Sequence, residues 1–267
     1  DETMKNIVQQ EEEIFERTYT YAHLNIQYAS EYDVIDAFLK DSIRTIMINR
    51  ALTNEEREYF TQQKANPRQI IFATGAIAFI KNLKAMDTTY VYEDLMSRFK
   101  DDSGATVFVL ENAKSGISQE LLNLLKLEKL PKHFYALNTK QEVMEYVESH
   151  DNAIGIVDYS DFSDSDSAFT KDVLSKIHLL GVTRPADSTQ FGFVKPYQYN
   201  LQDRKYPFTR DLYFISKTGR EDAGIGFASF ICGEIGQKII LKAGLLPKFQ
   251  SERTIELNYT NDIKVVK

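Results

Sequence analysis

The sequence predicts an α/β fold in which a largely parallel sheet is covered by helices on both faces. Short runs of apolar and β-branched residues, typical of buried strands, alternate along the chain with amphipathic segments of helical period. The chain has 267 residues, of which 43% are hydrophobic. At roughly 150 residues per domain, this length predicts one large domain or two smaller ones, each with its own core.

Three helices and two strands are predicted before residue 65. Apolar residues at helical spacing predict helices over 4–16 and 34–39, and the capping-box sequence Thr53–Glu56 opens a third helix. Alternation of apolar and polar residues predicts a strand over 23–28, and the β-branched run TIMI predicts another over 45–48.

Residues 69–80, QIIFATGAIAFI, form a long apolar run that predicts one buried strand, which bends or changes its environment at the Thr-Gly interruption. The later predicted strands cover 106–110, 153–157 and 211–216, and the later predicted helices cover 92–99, 116–127, a segment opened by a capping box at Thr139, and 219–242. Gly244 and Pro247 are expected to end the last helix.

Composition and motifs argue against several classes of function. The net charge of −7 disfavours nucleic acid as a partner, since binding to phosphates needs a surplus of Lys and Arg. The single cysteine, Cys232, excludes an intramolecular disulfide, and the four histidines lack metal-ligand spacing, so we expect no metal or cofactor. The sequence also lacks a phosphate loop, a nucleophile elbow and a zinc-protease motif, which favours a protein that is not an enzyme.

Three places combine features that suit a small anion. Residues 112–118 lie between a predicted strand and a predicted helix, where free backbone N–H groups and the helix dipole favour negative charge. Residues 1–3 stand before the first helix, and Arg50 ends a predicted strand. Plainer interpretations are that Ser115 is only an N-cap and that Arg50 pairs with Glu55 or Glu56 at the surface.

The order of several motifs resembles the phosphate-binding proteins, a family of periplasmic receptors with the type II binding-protein fold that serve ABC importers. The segments that carry the resemblance are YPFTRDLYFIS (206–216), GFASFICGEIGQKIILKAGLLP (226–247), RALTNEE (50–56), AIAFIKN (76–82), KSGI (114–117) and AIGIVDY (153–159). The resemblance implies two α/β lobes joined by two hinge strands, with residues 1–77 and 207–267 in one lobe and 78–206 in the other.

The resemblance also implies a set of ligand residues and one further strand that precedes Asp1. Thr3 and Met4 match the first ligand loop, where a hydroxyl and a backbone N–H contact the anion. Ser115 and Gly116 match the ligand loop of the other lobe, and Ile117 replaces a threonine there, so that it offers an N–H without a hydroxyl. The full set of expected ligand residues is Thr3, Met4, Glu31, Tyr32, Arg50, Asn112, Ser115, Gly116 and Ile117.

Three positions depart from the family pattern. Glu31 and Tyr32 replace a serine-rich loop, and Arg50 takes the place of an aspartate that accepts the proton of the bound phosphate. The family's arginine before the Ser-Gly loop falls near Glu111 or Asn112. An arginine at position 50 would not reject sulfate as an aspartate does, and a Glu31–Arg50 ion pair would weaken anion binding.

The resulting expectation is a monomeric receptor that captures a small oxyanion, phosphate above all, and delivers it to an ABC transporter permease. The expected location is the periplasm of a Gram-negative bacterium, either free or as a lipoprotein anchored to a membrane. Residues 1–4 do not form a targeting segment, so on composition alone a cytosolic protein and a processed form stay open. The alternatives are the same fold with another ligand, and a sensor or adhesion module with a degenerate cleft.

Overall fold

The computed structural model describes residues 1–101, 104–164, 166–218 and 222–249, and these residues form a mixed α/β fold. The helices are α1 (Lys5–Thr18), α2 (Glu31–Leu39), α3 (Asn54–Gln62), α4 (Tyr92–Lys100), α5 (Gly116–Leu125), α6 (Lys140–Ser149), α7 (Ala168–Leu174), α8 (Pro185–Phe191), α9 (Gln198–Gln202), α10 (Ala223–Cys232) and α11 (Glu234–Lys242). The strands are β1 (Thr45–Ile48), β2 (Arg68–Asn82), β3 (Thr89–Val91), β4 (Val107–Glu111), β5 (Phe134–Leu137), β6 (Ala153–Asp158), β7 (Ile177–Leu179), β8 (Gly181–Thr183), β9 (Thr209–Ser216) and β10 (Leu246–Pro247).

The long strand β2 connects the two halves of the main sheet, whose strand order is β1-β9-β2-β6-β4-β5. Its first half, up to Ala76, pairs with β9, and from Ile77 onward it pairs with β6. The predicted change of environment within this apolar run is therefore confirmed, because one strand serves two sheet halves with different neighbours. The switch falls between Ala76 and Ile77, directly after the Thr74–Gly75 interruption.

The pairing of the strands is mixed, which corrects the prediction of mostly parallel sheets. Within the described residues, β4 runs parallel to β5 and β6, and β3 runs parallel to β8. The long strands β2 and β9 instead run antiparallel to each other and to most of their neighbours. The physical reason is that β2 and β9 carry the chain between the halves in opposite directions, so they must pair antiparallel.

The buried apolar residues follow the same division. One cluster draws only on residues between Ala76 and Phe208. The other two clusters draw on residues up to Ala73 and from Leu212 onward. We therefore propose the predicted division into lobe I, residues 1–77 and 207–249 of the described chain, and lobe II, residues 78–206; residues 250–267 of the predicted lobe I lie outside the described residues.

Two predicted elements differ in the structure. Residues 23–28 form no regular strand and pair with no described strand; together with residues of β1 they line a cavity of about 580 Å³. The helix predicted over 219–242 is two helices, α10 and α11, which meet at 64° beside Gly233, and its first residues, 219–221, lie outside the described residues. Gly236 permits this bend, since a Cβ atom there would lie 2.5 Å from Cα of Ile231.

The α10–α11 pair reaches the length and hydropathy of a membrane span only if its bend is ignored. No single helix of the described chain is long and apolar enough to span a membrane.

Candidate functional site

The loop between β4 and α5 brings lobe II to the place where the two lobes meet. Ser115 is the N-cap of α5, and its Oγ accepts a hydrogen bond from the backbone N–H of Ser118 at 3.3 Å. The Ser118 hydroxyl donates to the carbonyl oxygen of Asn112 at 3.0 Å, which holds the loop against the helix. The interpretation of Ser115 as an N-cap is therefore confirmed.

The first turn of α5 has two backbone donors to spare. The N–H groups of Gly116 and Ile117 donate no hydrogen bond to any described residue, and both residues are buried. The positive end of the helix dipole lies at the same point. This turn can therefore bind an oxygen atom that carries negative charge.

Gly116 lies against three side chains of lobe I. A Cβ atom at this position would lie 2.7 Å from Oε2 of Glu31, 2.8 Å from Oδ2 of Asp1 and 3.5 Å from Nδ2 of Asn49. Contacts below 3.0 Å do not occur at a real Cβ atom, so a side chain at position 116 would require the Glu31 and Asp1 carboxylates to shift. Two carboxylates of lobe I thus stand directly over the start of α5.

The lobe I wall of the site is tied together by Asn49. Its Nδ2 donates to Oγ1 of Thr3 at 2.6 Å and to Oδ2 of Asp1 at 3.1 Å, and Oδ1 of Asp1 accepts from the backbone N–H of Thr3 at 2.9 Å. The Oδ1 atom of Asn49 is buried without a partner in the described chain. Sequence reasoning missed Asn49, which is the strand-end residue that faces α5.

Arg50, the next residue, is engaged by two carboxylates of lobe I. Its Nε donates to Oε1 of Glu31 at 2.7 Å, and its two terminal nitrogens donate to Glu56 at 2.8 and 2.9 Å. Burial opposes both charges, yet these bonds hold the pKa of Arg50 above and that of Glu56 below its ordinary value. The predicted pairing of Arg50 with Glu31 and with Glu56 is confirmed, and its role as a ligand contact stays a prediction.

The other predicted ligand residues occupy different positions. The side chain of Met4 is 1% exposed in the lobe I core, and its N–H donates to the carbonyl oxygen of Asp1 at 3.1 Å. Asn112 bridges the lobes by donating from Nδ2 to Oε1 of Glu2 at 2.8 Å. Tyr32 is 58% exposed at the rim, where the Lys114 ammonium lies 5.2 Å from the centre of its ring.

Arg210 on β9 is a charged residue that sequence reasoning did not select. One of its terminal nitrogens donates to Oδ2 of Asp158, while Nε and the other terminal nitrogen are buried without a partner in the described chain. Burial raises the pKa of Glu120 on α5, Arg210 and Arg50 lower it, and Glu31 raises it further, so these charges share one region. The sequence feature that could have pointed to Arg210 is its place directly before a predicted strand, as the single arginine of residues 206–216, a segment that carries the family resemblance.

A second polar cluster joins the lobes beside the site. Lys140 donates to the carboxylate of Asp161, which also accepts a 3.4 Å hydrogen bond from Asn6 of lobe I. Burial raises the pKa of Asp161, and the Lys140 charge opposes this shift.

Among the described residues, no group of His, Cys, Asp and Glu side chains is arranged to hold a metal ion. Burial raises the pKa of Cys232 to about 11, as suits an unreactive thiol.

Comparison with known proteins places the fold. Residues 1–234 match the model of the PBP superfamily domain. No protein of curated function matches the sequence. A Clostridium perfringens substrate-binding protein assigned to a phosphate ABC transporter, solved with phosphate bound, is 17% identical, with a TM-score of 0.73 over 92% of this chain and 96% of its own.

Two further solved structures show how widely this fold is used. An ABC-type phosphate transport receptor from Vibrio cholerae is 14% identical, with a TM-score of 0.68 over 91% of this chain and 95% of its own. The regulatory domain of Synechocystis CcmR, in complex with 2-PG, is 9% identical, with a TM-score of 0.57 over 86% of this chain and 92% of its own. At these identities the likeness establishes the fold, and the ligand must be argued from the site.

Proposed function

Because the chain belongs to the PBP superfamily, we propose that it is a receptor that captures a small oxyanion between its two lobes, with phosphate as the first candidate. The two lobes meet around the first turn of α5, and β2 and β9 are the strands about which they would close. Several neighbours of this fold are named as phosphate receptors of ABC transporters, which supports the class of ligand.

One observation carries the proposal: the N–H groups of Gly116 and Ile117, two buried residues at a helix start, donate to no described residue. The first N–H groups of a helix have no partner within the helix, so at a junction between the lobes these two are available to a ligand acceptor. An oxyanion supplies several acceptor oxygens and is further favoured by the helix dipole. The free donors of Arg210 add a second source of positive charge.

The source of positive charge at the site is limited by the pairing of Arg50. The family's arginine before the Ser-Gly loop falls near Glu111 or Asn112 in this sequence, so no arginine stands there. Since Glu31 and Glu56 engage Arg50, its charge is neutralised within lobe I. We therefore assign anion attraction to α5 and Arg210.

The proposed setting is that of a receptor for an ABC importer. We propose a location outside the cytoplasm, in the periplasm or anchored to a membrane by a lipid, and a transporter permease as the partner that receives the anion. We further propose that the receptor acts as a monomer without a cofactor and carries out no reaction, since the site combines donors for an anion rather than a nucleophile with a base.

A thermal-shift panel on ligand-stripped protein tests the proposal. Phosphate, sulfate, molybdate, phosphonates and carboxylates are each added at millimolar concentration. An anion at about 100 times its Kd should add about 2.7 kcal/mol to the unfolding free energy, which raises the midpoint by a few degrees. We expect phosphate to give the largest shift; a panel without any shift would contradict the proposal.

A second candidate function follows from the full pairing of Arg50. A cleft whose own arginine is neutralised by Glu31 and Glu56 suits a sensor or adhesion module that has kept the fold but lost anion binding. A flat thermal-shift panel would favour this candidate.

A further inference from the structure

The Glu31 carboxylate lies against the first turn of α5. Its Oε2 atom is 2.7 Å from the ideal Cβ position of Gly116, and Glu31 itself is 1% exposed. Oε2 accepts no hydrogen bond from the described residues, whereas Oε1 is held by Arg50. A carboxylate carries charged oxygens like those of phosphate, and this one faces the turn of α5 that has donors to spare.

Arg50 serves to hold Glu31 in this position. Its Nε binds Oε1 of Glu31, while its other donors bind Glu56 and the carbonyl oxygen of Ala51 at 2.9 Å. Glu31 begins α2, so its side chain can turn away without unwinding the helix. If the Glu31 side chain turns away, Arg50 still pairs with Glu56, so the guanidinium is not left without a partner.

Asp1, the other carboxylate over Gly116, is bound more firmly. Each of its two oxygens accepts a hydrogen bond within lobe I, from the backbone of Thr3 and from Nδ2 of Asn49. Moving Asp1 would break both bonds, whereas moving Glu31 breaks one. Glu31 is therefore the carboxylate that an incoming anion displaces.

We propose that Glu31 is an affinity-determining residue that competes, from within the chain, with the anion for the first turn of α5. This inference rests on the proposed function, because it presumes that an oxyanion binds at this turn. The competition lowers the affinity for every tetrahedral oxyanion. Its removal vacates the turn and frees Nε of Arg50, and both effects favour the anion.

Titration calorimetry of phosphate and of sulfate into four proteins tests this proposal. The proteins are the wild type, Glu31→Gln, Glu31→Ala and Glu56→Gln. Glu56→Gln is the matched control, because it also removes one negative charge from Arg50 but lies away from Gly116. Thermal midpoints without added anion identify any variant that has lost its fold, and the two substitutions at Glu31 provide independent readings.

We expect both substitutions at Glu31 to raise the affinity for phosphate and for sulfate at least tenfold, while Glu56→Gln changes it less than threefold. Equal gains for the variants at Glu31 and Glu56 would overturn the proposal in favour of a general charge effect. Unchanged or weaker binding by the Glu31 variants, with the wild type binding, would overturn it while leaving the proposed function intact. If no protein in the series binds either anion, both the proposed function and this inference are wrong.

Discussion

The two walls that meet at Gly116 have opposite character. Lobe II presents donors, namely the N–H groups of Gly116 and Ile117 at the start of α5. Lobe I presents acceptors, namely the carboxylates of Asp1 and Glu31. The lobes are therefore complementary to each other before any solute is considered. A solute that binds between the lobes must replace the contact that the lobes already make with each other. Its own contacts with the lobes must therefore be more favourable than that contact.

The largest expected effect comes from breaking the charge balance of the lobe I wall. Arg50→Met leaves Glu31 and Glu56 without their partner, and an uncompensated buried charge costs about 3–5 kcal/mol of stability. Chemical denaturation at pH 7 measures the loss. Arg17→Met is the control, since the Arg17–Glu13 pair is exposed and contributes less than about 0.5 kcal/mol. If both variants lose the same small amount of unfolding free energy, the ion pairs of Arg50 do not stabilise this wall.

A second prediction extends the acidic character of lobe I into its core. Glu11 on α1 is 1% exposed, and neither of its carboxylate oxygens has a partner in the described chain. Burial raises its pKa to about 8. The folded protein therefore holds a proton that the unfolded chain releases near its ordinary pKa of about 4.3, so stability falls as the pH rises from about 4.5 to 8.

We expect this loss to be on the order of 3 kcal/mol in the wild type and to disappear in Glu11→Gln. Denaturation curves at pH 5 and pH 8 measure it. Glu13→Gln, on the exposed face of the same helix, should keep the wild-type dependence. A Glu11→Gln profile that still falls by the same amount would assign the pH dependence to other groups.

The contact between the walls is tested by Gly116→Ala. The added methyl group would lie 2.7 Å from Oε2 of Glu31 and cover the free N–H groups, so we expect phosphate affinity to fall at least tenfold, or about 1.4 kcal/mol. Calorimetry gives the affinity. Gly226→Ala on α10 is the control, since nothing lies within 4 Å of its Cβ position and affinity should be unchanged. Unaltered phosphate affinity in Gly116→Ala would show that the anion does not bind at the first turn of α5.

The smallest effect separates the stability of α5 from its role in binding. Ser115→Ala removes an N-cap and should cost about 1 kcal/mol of stability. Thr139→Ala removes the N-cap of α6, an exposed position in the same lobe, and should cost a similar amount. We expect only Ser115→Ala to weaken phosphate binding as well, by severalfold, because it loosens the loop that presents Gly116. Equal phosphate affinities in both variants would make Ser115 a helix cap and nothing more.

Local signals account for what the sequence predicts well. The N-caps Ser115, Thr53 and Thr139 are confirmed because a cap depends on residues three positions apart in the chain. The double environment of β2 is confirmed because apolar composition and a Thr-Gly break are visible within one run. The predicted strand over 23–28 is wrong for the described residues, because a strand also needs a partner, and pairing is not a local property.

The site depends on choices that a sequence does not reveal. Asn49 and Arg50 are adjacent just after β1, and the contacts of each depend on residues distant in the chain. Asn49 binds Asp1 and Thr3, whereas Arg50 binds Glu31 and Glu56. Arg210 is buried and paired through one nitrogen with Asp158, which lies 52 residues away in the chain, so neither its burial nor its partner is visible in the local sequence.

The central claim is that an oxyanion binds at the first turn of α5 between the walls. It is tested most directly by ¹H–¹⁵N spectra of the protein during a phosphate titration. We predict that the amide signals of Gly116 and Ile117 shift saturably and further than that of Gly226, which lies in the interior of α10. Saturable shifts elsewhere with those two amides unmoved, or no shift at millimolar phosphate, would contradict the account.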